Sequence, residues 1–143
     1  MHGMVINYLA VLVAAIVIFA LGGLWYSPVL FVKRWMALQG KTEEQMRAEA
    51  AAANMPLMYA SAFITALITA WVMALVFAHI ANDVAMNAAH GALFGAMLWL
   101  GFAATTSYAM AIFSGRPRQL WLIDSAYNLV SFVLAGIVLA VWR

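Results

Sequence analysis

The chain has 143 residues, 68% of them apolar and only 8% charged, with a net charge of +2 and no cysteine. A soluble domain is about half apolar and about a quarter charged, so a chain of mean hydropathy +0.97 is expected to face a bilayer over most of its surface. The missing cysteines exclude disulfides, thiolate metal sites and cysteine nucleophiles, and the small basic excess reads as a topology signal rather than a nucleic-acid surface.

A helix needs about 20 mostly apolar residues to cross the hydrocarbon, and four stretches qualify. The first runs from about Met4 to Trp25. It lacks the basic n-region and cleavage site of a signal peptide, so it is expected to persist as a helix. Residues 26–56 then connect it to the second span. Within them, "SPVLFVKRWMALQG" opens with Ser27 as the expected N-cap and Pro28 at the first helical position. It mixes Leu30, Phe31, Trp35 and Met36 with Lys33 and Arg34 and stops at Gly40. This predicts a short amphipathic helix in the membrane interface, part of a helical loop over 27–55. "KTEEQMRAEAAAN" adds a second helix, with Thr42 and Gln45 spaced for a capping box.

The second span covers about Leu57 to Ile80, just after Pro56. Ala62, Ala66 and Ala70 recur along it every four residues, with Ser61, Thr65 and Thr69 alongside. The third, about Asn87 to Phe113, carries Gly91 and Gly95. Small residues let helix backbones approach in lipid. Both ridges are expected to close the bundle, and either could instead meet a second copy in a homodimer. The fourth span, about Gln119 to Trp142, follows Pro117.

Lys33, Arg34, Lys41 and Arg47 in the first connector share a side with Arg116 and Arg118 in loop 114–118; only Arg143 lies opposite. The positive-inside rule makes both connectors cytoplasmic and both termini external, as expected of a bacterial inner-membrane protein. The fold expected is an all-α four-transmembrane-helix bundle, a single integral membrane domain over 1–143.

Asp124 is the one acid within the spans. A carboxylate at the bilayer centre costs about 2.5–3.5 kcal/mol, so it should face protein. Tyr127, Asn128 and Ser131 continue its helical face. Threading brings Trp25, Tyr26, Tyr59, Thr105 and Tyr108 to a similar depth. Asp124 is then either ionised and met by Arg116 or Arg118, or protonated and donating a hydrogen bond. As a structural tie it would link helices; as a functional group it would bind a proton or ligand in a pocket with Asn128, Tyr127, Tyr26, Trp25, Thr105 and Tyr108.

No metal or cofactor is expected. His2, His79 and His90 gather on the outer side and offer a weaker alternative as ligands to zinc, copper or haem. No phosphate loop, nucleophile elbow or zinc-protease motif occurs.

"NYLAVLVAA" from Asn7, "LGGLWYSPVLFVKRW" from Leu21 and "LIDSAYNLVS" from Leu122 resemble a family of small bacterial four-span membrane proteins, the domain of unknown function seventeen-sixty-one. The most specific part is Gly22 followed by Trp25-Tyr26-Ser27-Pro28, and the similarity covers nearly the whole chain. Val32 stands where a small residue often precedes the lysine. The resemblance implies a multi-pass membrane protein and brings no activity, cofactor or catalytic residue.

The functional expectation is a non-enzymatic membrane protein holding a small ligand or lipid in a polar, cytoplasmic-half pocket around Asp124. The alternatives are a small proton- or cation-coupled transporter or channel, dimeric or not, and a membrane enzyme acting on a lipid or quinone. For the threading, Gln45→Cys and Asp83→Cys are expected to react with an impermeant maleimide from opposite faces of sealed vesicles. Labelling from the same face would refute four spans.

Overall fold

The computed structural model describes residues 5–143, and every element it contains is helical. Helix α1, Tyr8–Trp25, is opened by Asn7, whose side chain accepts hydrogen bonds from the backbone of Leu9 and Ala10. Met4, where the first span was expected to start, lies outside the described residues. The chain then turns and enters α2, Val32–Leu38. This helix starts four residues later than the Ser27-Pro28 pattern predicts. The Ser27 hydroxyl donates to the Leu24 carbonyl at 2.6 Å instead of capping the next helix. That carbonyl belongs to the last turn of α1, which has no intrahelical donors left to offer it.

Gly40 adopts φ +69°, a left-handed turn open to glycine but strained for other residues, and ends α2 where expected. Helix α3, Glu43–Ala52, carries the predicted capping box. Gln45 N donates to Thr42 Oγ1 at 3.1 Å and Thr42 N donates to Gln45 Oε1 at 2.9 Å. No residue of α3 is buried.

Helix α4, Met55–Ile80, follows an Asn54 cap with Pro56 in its first turn. The third rod comprises α5, Ala88–Leu98, a π-helical segment, Trp99–Ala104, and α6, Thr105–Phe113. Nothing in the sequence foretold the π segment; that span reads as uninterrupted. Helix α7, Arg118–Val141, completes the set. These four rods are long and apolar enough to cross a membrane. The chain is a four-helix, multi-pass membrane bundle.

Helix α7 is the hub, with the third rod on one side and α1 on another, while α4 lies mainly against α1. The closest seam joins α5 to α7. A Cβ added to Gly91 would collide with the Gly136 carbonyl, one on Gly95 with the Phe132 carbonyl, and one on Gly136 with the Gly91 carbonyl. Backbones pack here almost without side chains between them, as small residues permit in lipid. A second cluster is rich in alanine: Ala10, Ala14 and Ala15 of α1 gather with Ala66 and Ala70 of α4 and Ala135 of α7, filled in by Val11, Ile18, Met73, Phe77 and Leu139. Gly91, Gly95, Ala66 and Ala70 are thus buried within the chain, whereas Ala62 is exposed.

Two further ties hold the third rod to α7. The Trp99 indole donates to the Ser125 carbonyl at 2.9 Å, and the Trp121 indole donates to Ser107 Oγ at 3.0 Å. Gly136→Ala is expected to lower thermal stability in detergent by about 1–3 kcal/mol through overpacking. Gly101→Ala, with open space around it, should leave stability unchanged or raised, since alanine favours helix. Equal losses in both would contradict the close seam.

Candidate functional site

The end of α1 and the start of α7 meet in a polar corner. Asp124 sits in the second turn of α7 and is half-buried. The Tyr26 hydroxyl donates to its Oδ1 at 2.6 Å, and the Trp35 indole of α2 donates to the same oxygen at 3.1 Å. Arg116, in the loop before α7, donates to Oδ2 at 2.6 Å and forms an ion pair. Around this node the Trp25 indole donates to the Ile123 carbonyl at 3.1 Å, and Arg34 donates to Gln119 Oε1 at 2.6 Å. The Tyr26 ring stands edge-on to Trp35 and to Tyr127. Burial first, then the hydrogen bond to Asp124, holds the Tyr26 phenol above the usual tyrosine range, so it remains a donor.

Both carboxylate oxygens are therefore engaged, by donors from the turn that follows α1, from α2 and from the 114–117 loop. The chemistry suits a carboxylate in a largely apolar setting, because charge-assisted hydrogen bonds are the stronger kind.

Beside this corner lies a cleft of about 580 Å³ between α1, α4 and α7, within the roughly 300–1,000 Å³ typical of small-molecule sites. The buried face of α4 begins only at Ala66, so the first turns of α4 leave a gap toward α7. Gly22 and Gly23 keep the α1 wall thin, and Ala62 does the same on α4. Tyr59, Ala62 and Thr65 are exposed along it, so the cleft is open on one side.

Its wall is mostly apolar, with uncharged polar groups set into it. Tyr26, Thr65, Thr69, Tyr127, Asn128 and Ser131 line it together with Phe19 and Phe132, and no Asp, Glu, Lys or Arg does. The Tyr127 hydroxyl donates to the Ile18 carbonyl at 3.0 Å, tying α7 to α1 across the cleft floor. Ser131 is only 2% exposed, yet its hydroxyl has no hydrogen-bond partner. The amide of Asn128 takes no part in the bonds that join α7 to α1 and α2.

The residues grouped from the sequence separate into three places. Tyr26, Tyr127 and Asn128 line the cleft. Asp124 and Trp25 belong to the corner beside it, and Tyr26 belongs to both. Thr105 and Tyr108 stand apart: the Thr105 hydroxyl donates to the Gly101 carbonyl of its own helix, and Tyr108 packs edge-on against Trp121. Depth alone put them with Asp124, and the rotation of their helix turns them away.

Trp35 was missed as a partner of Asp124. Its signal was present, because an indole N–H near lipid needs an acceptor and Asp124 is the one acid in the spans. Of the histidines, His79 and His90 each place Nδ1 2.9 Å from a backbone carbonyl, of Leu75 and Ala85 respectively. His2 lies outside the described residues.

Four lipid-length helices, a bonded carboxylate at one end and an open, mostly apolar cleft beside it define a multi-pass α-helical membrane protein with a ligand-sized recess. Residues 9–140 match the model of the family described as protein of unknown function (DUF1761), and the chain belongs to that family. No curated protein and no solved structure matches it.

The corner can be tested by substitution. Asp124→Asn keeps an acceptor for Tyr26 and Trp35 and loses only a partly exposed ion pair, so stability should fall by about 0–1 kcal/mol. Asp124→Leu removes every acceptor and should cost about 1–3 kcal/mol more. Thermal unfolding in detergent distinguishes them, and equal losses would contradict the hydrogen-bonding account.

Proposed function

We propose that this chain is an inner-membrane binding protein that holds a small ligand or lipid in the cleft between α1, α4 and α7, with both basic connectors and the polar corner in the cytoplasmic half. The observation that carries the reading is the cleft itself: ligand-sized, open on one side and walled by hydroxyls and an amide among apolar surface. Purely structural helix packing would be expected to close such a gap with small residues, as the α5–α7 seam does.

In this reading Asp124 positions rather than binds. Its oxygens hold Tyr26, Trp35 and Arg116, and through Tyr26 they fix one wall of the recess. The pairing with Arg116 disfavours a free proton or cation site at the carboxylate. An enzyme would need convergent ionisable groups, and the cleft wall offers hydroxyls and an amide instead.

The protein is expected to retain a bound lipid-like species on transfer into lipid nanodiscs, visible by native mass spectrometry. Ala62→Trp, which fills the cleft from an exposed position, should remove that species while leaving the unfolding temperature near that of the parent. Equal retention by parent and variant would refute the cleft as the site.

A further inference from the structure

The cleft's hydrogen-bonding capacity is one-sided. Four of its hydroxyls already donate their hydrogens elsewhere. Tyr26 donates to Asp124 at 2.6 Å, Tyr127 to the Ile18 carbonyl at 3.0 Å, Thr65 to the Ala62 carbonyl at 2.8 Å, and Thr69 to the Thr65 carbonyl at 3.0 Å. A hydroxyl has one hydrogen and two acceptor lone pairs. These four oxygens therefore offer only acceptors to anything in the recess. Asn128 is the exception: its side-chain amide lines the recess and can donate as well as accept.

Charge narrows the choice further. No ionised side chain lines the cleft, and the nearest carboxylate is already paired with Arg116. An anion such as a phosphate would find no cation there and few donors. An ammonium would find acceptors, but no free negative charge to offset its desolvation. A quinone or an ester, which only accepts, would leave the four oxygens unused. A hydroxyl group fits both needs, donating to one of the acceptor oxygens and accepting from the Asn128 amide.

Resting on the cleft as the binding site, we infer that its ligand is a neutral, hydroxyl-bearing amphiphile, an alcohol with a long hydrocarbon chain, recognised through donation of its O–H to the oxygens of Thr65, Thr69, Tyr26 or Tyr127. The open side lets the hydrocarbon chain extend into the bilayer. The aromatic walls, Phe19 and Phe132, cover the carbon next to the hydroxyl.

The test uses the full chain in nanodiscs and a hexadecanol carrying a diazirine in its chain. Cross-linking to α1, α4 and α7 is read by mass spectrometry. Unlabelled hexadecanol should displace the probe about tenfold better than hexadecyl methyl ether, which keeps the oxygen but cannot donate. Thr69→Val should shrink that advantage several-fold, and Thr69→Ser, which keeps the oxygen, should restore it. Alcohol and ether displacing equally, with Ala62→Trp still blocking the probe, would overturn the donor argument while leaving the cleft as a binding site. Better displacement by hexadecyl phosphate or hexadecyltrimethylammonium would overturn the neutral-ligand argument in the same way. Probe cross-linking that Ala62→Trp does not reduce would overturn the cleft as well.

Discussion

Hydrocarbon offers no hydrogen bonds, so every polar group carried into it must find a partner within the protein. Most of this structure follows from that constraint. Four indoles and the Tyr127 phenol donate across helix boundaries to carbonyls, a serine oxygen and a carboxylate. Each such bond joins two elements, so the satisfaction of a side chain and the assembly of the bundle are one event. Asp124 shows it most clearly: a costly group becomes the place where the first span, the short helix after it and the last span are held in register.

The same constraint makes the cleft informative. Ser131 has its oxygen unpartnered but buried away from the recess, while the Asn128 amide beside it lines the gap. Ser125 has the same unpartnered oxygen; it lies at the α7 surface that receives Trp99 and does not line the recess. An amide that lines an open, ligand-sized gap and bonds neither α1 nor α2 is a group a ligand would complete.

Much of the architecture was legible in the sequence. Span number and limits follow from uninterrupted apolar runs, which a 30 Å barrier imposes on any helix, and they agree with the helices to within a few residues. The capping box at Thr42 and the stop at Gly40 are local chemistry and could be read locally. The pairing of Tyr26 and Trp25 with the region of Asp124 followed from depth along antiparallel rods. Rotation about each rod was not legible, because the small-residue and polar stripes of a membrane helix are too similar to rank. That is why Thr105 and Tyr108 were grouped with a site they do not face, and why Gly136, isolated in its helix, gave no sign of the seam it completes.

The π segment at Trp99–Ala104 bears on how this third rod can change over time. A widened turn carries one residue more than the α-helix around it, which rotates everything beyond it by about 100°. Beyond it, Ser107 meets the Trp121 indole and Ala111 is buried at the angle that offset sets. The exposed residues of the stretch, Leu100, Gly101 and Phe102, make no such tie, while the count of residues sets the angle. A single deletion there would swing the buried edge of α6 toward lipid and a lipid edge toward α7, so length, more than identity, is what this part of the chain has to preserve.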